Sequence, residues 1–501
     1  MTDFTNKVAR YTGYNFTAGQ ETALERLEAW YNNPTDLFFT LSGRAGTGKT
    51  YILKYFVDKI VKHPICVSAP THKAVRTVER STGRKGKTLQ SLHGLRPNVN
   101  LEDFDLQNIK FDTLGIPTMN NYKIIVIDEC SMVNQTLHDL NSKRARDLKV
   151  KILYVGDAMQ LPPVSRNNND VTESPTFKLK NYFELDEIVR QDADNPLTPL
   201  LETIVDDIKN KSTNFVTFLK RYPELNNSNG HGYKIYDNKN EFLDIAVATF
   251  KEEKFSDDPD YARIAAWKNQ TVLNYNIATR NQLIPFFVMG GAASNPDQPI
   301  DIELIDINDL LIGYKTITDE FNDVVITNSE DYIIKSVIGR MADAGFKSYA
   351  VKIAPRHGGR EVEVSIVDYR DKSFLVYYEK IKKLYFSALY SHGSNRSQKW
   401  REYFRYKDMF LSTITFPIKQ GDDIKAYVSK DIDYAFSLTT HKLQGSTIEN
   451  TFIDLNDMLY YTSGKMVESS GWDKNATEIR NKLIYTAISR TSKFAHIYLK
   501  L

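Results

Sequence analysis

One segment restricts the possible folds of this chain more than any other. Residues 43–50 read GRAGTGKT and match the pattern G-x-x-x-x-G-K-[ST]. A short apolar run precedes the segment at 37–41, and apolar residues at helical spacing follow it across 50–62. A glycine-rich loop between a buried strand and a helix can bind phosphate groups through its backbone N–H groups. The segment therefore predicts a parallel α/β domain with a nucleotide site at the edge of its sheet.

The first 190 residues continue this alternation of strands and helices. Further runs typical of buried parallel strands lie at 65–69, 123–127 and 151–155. From 88 to 121 prolines and short mixed segments interrupt the pattern, which predicts a small insertion. A second α/β region begins near 195, with a strand predicted at 261–267 and a helix at 271–283.

Between 290 and 425 the pattern changes to short β-type segments separated by turn residues. These segments lie at 323–327, 332–337, 348–353, 361–367 and 373–378. Five such strands predict a small barrel. Because sheet-like strands resume at 433–438 and 451–455, the barrel is interpreted as an insertion into the second α/β domain.

Composition excludes several classes of protein. Of the 501 residues, 41% are hydrophobic and 26% are charged, so disorder of the whole chain is excluded. No apolar run is long enough to span a membrane, and the N-terminus has no signal-peptide core. Two cysteines, Cys66 and Cys130, cannot form a disulfide framework, which indicates a reducing cytoplasm. The net charge, 65 − 63 = +2, means that any basic surface for nucleic acid must be local.

Catalytic candidates follow from the phosphate loop. Lys49 is predicted to reach the β- and γ-phosphates, and the Thr50 hydroxyl to bind Mg²⁺. The strand at 123–127 ends in Asp128, a second magnesium ligand, and Glu129, which could polarise the attacking water. Gln160 follows the next strand and is suited to sensing the γ-phosphate. These residues predict a nucleoside triphosphatase.

Four further motifs resemble those of superfamily 1B helicases, in particular the RecD-like branch. They are residues 69–74 (APTHKA), 156–163 (GDAMQLPP), 441–447 (HKLQGST) and 485–490 (YTAISR). The resemblance implies two RecA-like domains that clamp ATP between them, with single-stranded DNA across both. It implies that Gln20 reads adenine and that Arg190 and Arg490 reach the γ-phosphate from a different domain. The implied nucleotide-binding residues are Gln20, Gly43, Gly46, Thr47, Gly48, Lys49 and Thr50.

The same resemblance implies a set of DNA contacts and two accessory parts. The implied contacts are Thr71, His72, His93, Trp267, Asn269, Thr440, His441 and Lys442. The insertion at 88–121 corresponds to a pin that splits the duplex, with Phe104 and Phe111 as candidate wedge residues. The inserted barrel resembles an SH3-like domain. Within it, residues 380–407 interleave basic and aromatic side chains, which is typical either of a single-strand track or of a solvated helical hairpin. The acidic stretch 301–331 is expected to face away from DNA.

The predicted domain organisation follows from these assignments. The first RecA-like domain spans 1–190 with the pin at 88–121, the second spans 191–290 and 426–501, and the barrel spans 291–425. The resemblance implies an ATP- and Mg²⁺-dependent helicase that moves 5′ to 3′ on single-stranded DNA and unwinds forked duplex DNA in replication or recombination. We expect a cytoplasmic monomer without membrane contact, with replication or single-strand-binding proteins as partners. An RNA helicase of the same superfamily, an ATPase that remodels protein–DNA complexes and a packaging or loading ATPase are the alternatives.

Overall fold

The computed structural model describes residues 14–95, 117–163, 173–189, 194–288, 302–319, 323–341, 344–459 and 474–500. They form two compact units. The first comprises Met1–Tyr233, Gln444–Ser446 and Tyr460–Arg490, and the second comprises Lys234–Leu443, Thr447–Leu459 and Thr491–Leu501. The segment that ends at Arg490 thus groups with the first unit, whereas the sequence-based boundaries placed 426–501 in the second α/β domain.

The described helices and strands alternate along the first half of the chain. In chain order they are α1 (Ala18–Asn32), β1 (Phe38–Gly43), α2 (Lys49–Tyr55), β2 (Ile65–Ala69), α3 (His72–Thr82), β3 (Gly86–Thr88), α4 (Leu89–His93), β4 (Ile124–Ile127), α5 (Gln135–Leu148), β5 (Lys151–Gly156), β6 (Tyr182–Leu185), α6 (Leu197–Asn210), α7 (Asn214–Arg221), β7 (Glu224–Asn226), β8 (Gly232–Tyr236), α8 (Lys239–Phe250), α9 (Glu253–Asp257), β9 (Ala262–Ala266) and α10 (Asn269–Val288). Short 3₁₀ turns lie at Met119–Asn121, Cys130–Met132 and Pro175–Lys178.

Strands predominate in the second half until the last helices. In chain order the elements are β10 (Leu310–Gly313), β11 (Ile317–Thr318), β12 (Val324–Ile326), β13 (Asp331–Met341), β14 (Ser348–Pro355), β15 (Val362–Val367), α11 (Phe374–Leu389), α12 (Ser394–Met409), β16 (Phe410–Leu411), β17 (Phe416–Gln420), β18 (Asp423–Val428), β19 (Ile432–Tyr434), β20 (Ser437–Thr439), α13 (Thr440–Leu443), β21 (Ile448–Asp454), α14 (Leu455–Leu459), α15 (Lys474–Ser489) and β22 (Thr491–Tyr498). No helix of the described residues has both the length and the apolar character needed to cross a bilayer.

The first unit contains a parallel sheet with the strand order β3-β2-β4-β5-β1-β6. All four residues of β4 are fully buried, which explains why this strand reads as a continuous apolar run. The strands predicted at 37–41, 65–69, 123–127 and 151–155 are confirmed as β1, β2, β4 and β5. The helix predicted at 50–62 is α2, extended by a π-helical turn at Phe56–Ile60.

The second unit contains another set of parallel strands, in which β20, β9, β21 and β22 are neighbours in this order. The predicted strand at 261–267 and helix at 271–283 are confirmed as β9 and α10. Together, the two parallel sheets confirm the predicted α/β class.

A six-stranded sheet of the second unit has the order β16-β15-β14-β13-β10-β19 and is antiparallel except between β15 and β16. Four of the five strands predicted in the insertion are confirmed as β12 to β15, and β12 pairs with β11 in a separate hairpin. The fifth prediction, a strand at 373–378, is wrong because this segment begins helix α11. The side chains that α11 buries recur at helical spacing, namely Tyr377, Ile381, Leu384 and Ala388.

The single strand predicted at 433–438 is also wrong, because the chain changes sheets inside it. β19 pairs antiparallel with β10, whereas β20 pairs parallel with β9. Buried ion pairs join the two sheets of this unit: Arg263 on β9 donates to Asp331 on β13 at 2.5 Å, and Arg280 on α10 donates to Asp309 at 2.5 and 2.6 Å. Both carboxylates belong to the acidic stretch 301–331, so part of that charge lies in the protein interior.

Candidate nucleotide site and nucleic-acid contacts

The phosphate loop lies between β1 and α2. Gly46 and Gly48 have φ values of +84° and +81°, a backbone conformation that side chains with a Cβ rarely adopt. The Lys49 ammonium donates to the carbonyls of Gly43 and Arg44, and the Thr47 hydroxyl donates to the Arg44 carbonyl at 2.9 Å. Lys49 therefore lies across the opening of the loop, where a bound phosphate could replace the carbonyls as its partner.

Gln20 packs against this loop from helix α1. Thr17 and Gln20 form a capping box at the start of the helix, which fixes the backbone of Gln20. The Gln20 side-chain amide donates to the Thr47 carbonyl at 3.1 Å, and the residue is buried. A Cβ on Gly48 would lie 2.4 Å from Gln20 Nε2, so any other residue would displace the end of the Gln20 side chain and would also have to adopt a left-handed backbone. The predicted nucleotide-binding residue is thus placed against the loop by local helix capping.

Asp128 and Glu129 follow β4 at the C-terminal edge of the same sheet. The Asp128 carboxylate accepts the Glu129 N–H at 2.9 Å, and Glu129 adopts a left-handed backbone with φ +53°. A non-glycine residue in this conformation stores strain, which is typical of functional sites. Burial and the neighbouring Glu129 charge raise the pKa of Asp128 to about 7, while Lys49 and Arg490 act in the opposite direction.

Arg490 contacts the acidic pair. Its Nη1 donates to Glu129 Oε1 at 3.3 Å and to the Ser446 carbonyl at 3.4 Å. Arg490 is the last residue of its segment of the first unit, and β22, which directly follows it, belongs to the second unit.

Among the buried polar atoms at this edge without a hydrogen-bond partner are Nε of Arg490 and Oε1 of Gln160. Gln160 donates its backbone N–H to the Asp157 carbonyl at 3.2 Å. A donor and an acceptor left unpaired in a buried site fit a triphosphate and a water molecule. Lys49 and Arg490 supply positive charge, while the exposed Thr50 hydroxyl and the Asp128 carboxylate are oxygen ligands suited to Mg²⁺. The side chains present therefore fit a magnesium-bound nucleoside triphosphate.

The predicted DNA contacts of the first unit are placed differently from one another. Thr71 caps helix α3 by accepting the Ala74 N–H at 3.2 Å, and His72 is exposed on the first turn. His93 is fully buried: Nε2 lies 2.6 Å from Asn141 Oδ1, and Arg144 Nη1 lies 3.0 Å from Nδ1. Burial lowers the pKa of His93 to about 3, so the ring is neutral. Both of its nitrogens are engaged inside the protein, and a contact with DNA would require this network to open.

In the second unit, predicted contacts meet at the ends of β9 and β20. The rings of Trp267 and His441 lie 5.4 Å apart, and Asn269 is exposed beside them. Thr440 is buried and donates to the Ala266 carbonyl at 3.4 Å. Lys442 points instead toward the antiparallel sheet region, where its ammonium donates to Asn328 Oδ1 at 2.9 Å and to Ser329 Oγ at 3.2 Å. Trp267 and His441 are half-buried and Asn269 is exposed, whereas Thr440 is buried.

Comparison with known proteins identifies similar sequences and structures. A family model described as an AAA domain matches residues 15–220, which include the phosphate loop. The ATP-dependent DNA helicase Dda of Enterobacteria phage T4 is 22% identical over 90% of this chain and 92% of its own length. The chain thus resembles an ATP-dependent DNA helicase over nearly its whole length. This similarity agrees with the family predicted from the motifs.

Two further similarities cover nearly the whole chain. An uncharacterized protein of Acanthamoeba polyphaga mimivirus is 24% identical over 95% of this chain and 98% of that protein. The crystal structure of Pif1 helicase from Candida albicans matches 97% of this chain and 94% of that chain, with 15% identity and a TM-score of 0.47.

Three helicase-motif predictions fall outside the described residues. They are the candidate arginine Arg190 and the candidate wedge residues Phe104 and Phe111. Of the predicted pin insertion 88–121, the structure describes the residues up to 95 and from 117.

The basic and aromatic segment 380–407 is a helical hairpin formed by α11 and α12. Its aromatic rings pack between the two helices, with the rings of Tyr385 and Trp400 5.6 Å apart and those of Tyr385 and Tyr403 5.9 Å apart. Phe404 is among the exposed exceptions. Lys407 is buried and donates to Asp431 at 2.6 Å. The packing of these rings favours the helical-hairpin interpretation over a stacking track for bases.

Sequence reasoning overlooked three side chains that organise the helicase sites. Asp457 accepts the N–H groups of Trp267 and Lys268, and no pattern around it in the sequence indicates this role. Tyr485 and Asp157 share a hydrogen bond of 2.8 Å beside the phosphate loop. Both belong to helicase motifs, so their position in those motifs could have indicated a role.

Proposed function

We propose that the chain is an ATP-dependent DNA helicase that moves 5′ to 3′ on single-stranded DNA and unwinds duplex DNA. The observation that carries this proposal is the cluster at one sheet edge, where Arg490 contacts Glu129 and both Lys49 and Arg490 act on the Asp128 carboxylate. Dda, which resembles this chain over nearly its full length, is an ATP-dependent DNA helicase. This similarity supports DNA as the substrate and unwinding as the output.

Each group at the cluster has a distinct task in hydrolysis. When bound, magnesium–ATP supplies the phosphoryl group to be transferred and offsets its charge, with Thr50 and Asp128 holding the metal. Lys49 exchanges its two carbonyl partners for phosphate oxygens. Glu129 orients a water molecule and accepts its proton, and Arg490 stabilises the negative charge that develops during transfer. Gln160 uses its unpaired Oε1 to align the water.

Each unit has its own proposed DNA contacts. Those of the first unit are Thr71 and His72, and those of the second unit are Trp267, Asn269 and His441. Trp267 offers an aromatic face for a base, because base stacking needs no particular sequence. His93, Thr440 and Lys442 act by holding local structure, since each is engaged in protein hydrogen bonds. We infer a monomer of the cytoplasm that works with replication or single-strand-binding proteins, in agreement with its two unpaired, buried cysteines.

A forked-duplex assay tests this function. Forks with either a 5′ or a 3′ single-stranded tail are incubated with ATP and Mg²⁺, using the wild type and Lys49→Ala. The wild type is expected to unwind only the 5′-tailed fork, and Lys49→Ala to lose about 10²- to 10³-fold in turnover. Lys54→Ala is the matched control, because Lys54 is an exposed lysine on the same helix and should leave activity unchanged.

Further arms of this assay test the substrate. Trp267→Ala should weaken single-stranded DNA binding by about 5- to 100-fold, which corresponds to about 1–3 kcal/mol for one stacked base. Unwinding from the 3′ tail alone would refute the polarity. ATP hydrolysis stimulated by RNA but not by DNA would identify an RNA motor, and an active Lys49→Ala would refute the assigned ATP site.

A further inference from the structure

We propose that Tyr485 is a positioning residue of the ATPase site. It fixes the turn that contains Gln160, and the helix α15 that precedes Arg490, relative to the phosphate loop. This inference rests on the proposed function, because it concerns how efficiently ATP is hydrolysed. Tyr485 lies on α15, five residues before Arg490. The residues involved all belong to the first unit.

The Tyr485 hydroxyl joins two catalytic segments directly. It accepts the backbone N–H of Ala45 in the phosphate loop at 3.1 Å and donates to Asp157 Oδ2 at 2.8 Å. Tyr485 is buried, so water does not compete for these bonds. Burial and the Asp157 charge raise the pKa of Tyr485 well above its usual value, so the hydroxyl keeps the proton that it donates. One hydroxyl thus fixes a loop amide and a carboxylate together.

Asp157 transmits this contact to Gln160. Its second oxygen, Oδ1, accepts the Met159 N–H at 2.9 Å, and its carbonyl accepts the Gln160 N–H at 3.2 Å. An aspartate that accepts the N–H two residues ahead forms an Asx turn, which sets the direction of the following backbone. The orientation of the Gln160 side chain therefore depends on where Tyr485 holds the Asp157 carboxylate.

A second bond fastens the same turn to α15. Thr486, the residue after Tyr485, accepts the Leu161 N–H through its hydroxyl at 3.0 Å. Two consecutive side chains of the helix therefore hold the turn on both sides of Gln160. Because Arg490 immediately follows this helix and donates to Glu129, a shift of the helix would move Arg490 and Gln160 together. A misplacement of about 1 Å in an active site can cost about 100-fold in rate.

Removal of the single hydroxyl tests this arrangement. Tyr485→Phe keeps the ring and its packing but leaves the Ala45 N–H and the Asp157 carboxylate without their shared partner. We expect the kcat of DNA-stimulated ATP hydrolysis to fall about 10- to 100-fold, a range typical for residues that orient catalytic groups. The Kd of ATP should change less than about threefold, because Lys49 and the loop glycines remain in place.

Tyr154→Phe is the matched control. Tyr154 is also fully buried in the first unit, on β5, but its hydroxyl interacts with Asn141 and not with the phosphate loop or Asp157. Its removal should leave kcat within about twofold of the wild type, because no bond to the phosphate loop or to Asp157 is lost. Equal kcat values for the two variants, with the wild type active, would overturn the proposal for Tyr485 alone. A wild type without DNA-stimulated ATP hydrolysis would instead refute the proposed function.

A double-mutant cycle separates positioning from a general loss of stability. If Tyr485 acts through Asp157, Tyr485→Phe combined with Asp157→Asn should lower kcat no further than the worse single variant. Multiplicative losses in the double variant would contradict this route. Melting temperatures measured in parallel identify a folding defect, and a fall of kcat that merely follows the melting temperature across all variants would also overturn the proposal.

Discussion

The connection from β1 to α2 in the first unit can be compared with the connection from β9 to α10 in the second. The two differ in which groups accept hydrogen bonds from their backbone N–H groups. In the first unit, β1 leads into α2 through the glycine loop, and no carboxylate of the described residues accepts a hydrogen bond from the N–H groups of 43–50. In the second unit, β9 leads into α10 through Trp267 and Lys268. Their N–H groups both donate to Asp457 Oδ2, at 2.7 and 2.8 Å, and the Thr271 hydroxyl donates to Oδ1 at 2.8 Å.

This difference explains how related architectures serve different purposes. A helix N-terminus attracts negative charge, whether from a ligand or from a side chain. In the second unit the Asp457 carboxylate supplies the negative charge at the helix N-terminus, so the backbone that carries Trp267 is fixed. In the first unit this position is left for a phosphate group of the ligand. The nucleotide site therefore depends on backbone N–H groups that no side-chain carboxylate of the described residues occupies, as well as on its catalytic side chains.

The largest expected effect comes from adding one methyl group to the phosphate loop. Gly48→Ala combines a left-handed φ with a Cβ placed 2.4 Å from Gln20 Nε2. Strain of about 1–2 kcal/mol and displacement of Gln20 should together weaken ATP binding by about 100-fold, measured by titration with a fluorescent ATP analogue.

Gly83→Ala is the control for Gly48→Ala, because Gly83 has a φ of +66° and no atom within 4 Å of an added Cβ. It should lower stability by about 1 kcal/mol and leave ATP affinity unchanged. Equal ATP affinities for the two variants would show that Gln20 and the loop tolerate the methyl group, and the comparison of the two connections would fail.

The next effect tests the filled connection. Asp457→Ala leaves two N–H groups and one hydroxyl without their acceptor, so we expect a loss of roughly 2–4 kcal/mol in the stability of the second unit, measured by urea denaturation. Inorganic phosphate should stabilise this variant more than the wild type, because it can occupy the vacated helix N-terminus. Lys268→Ala removes an exposed ammonium 3.9 Å from Asp457 Oδ1 but keeps the three hydrogen bonds, so it should change stability by less than about 1 kcal/mol. A stable Asp457→Ala would contradict the role of this carboxylate.

The smallest effect concerns how the stability of the first unit depends on pH through Asp128 at the nucleotide site. The pKa of Asp128 is raised to about 7 in the folded protein, above its value of about 4 in the unfolded chain. Its contribution to stability is therefore present at acid pH and is lost as the pH rises through about 7, by at most about 1.4 kcal/mol per pH unit. Without nucleotide, the melting temperature of the wild type should fall relative to that of Asp128→Asn between about pH 4 and pH 7.

Parallel melting curves for the wild type and Asp128→Asn across this pH range would argue against a raised pKa. Magnesium and ATP should reduce the pH dependence, because they favour the ionised carboxylate.

The sequence predicts the phosphate loop and the buried parallel strands well because their determinants are local. Glycines at fixed spacing and the continuous apolar run of β4 need no distant partner to be recognised. By contrast, the segment 373–378 has aromatic and β-branched residues that favour a strand, and only the continuation to Leu389 reveals the helical spacing. The change of sheets near Ala435 depends on β10 and β9, which are more than a hundred residues away in the chain.

The same contrast between local and distant determinants applies to the site residues. Lys49, Asp128 and Glu129 could be predicted because they directly follow strands of the first sheet. The burial of His93 could not, since it results from Asn141 and Arg144 on helix α5. Asp457 was overlooked because its partners Trp267 and Lys268 come from a distant part of the chain.

The pairing of β10 with β19 has a consequence for the history of this chain. Gly313 lies opposite Ile432 in that pairing, so the segment between them leaves and re-enters at neighbouring strands, about 4.8 Å apart. Loss of this segment would remove β13, the other neighbour of β10 in the sheet. It would also leave Arg263 on β9 buried without Asp331. We therefore expect the segment and its buried arginine partner to have been acquired together.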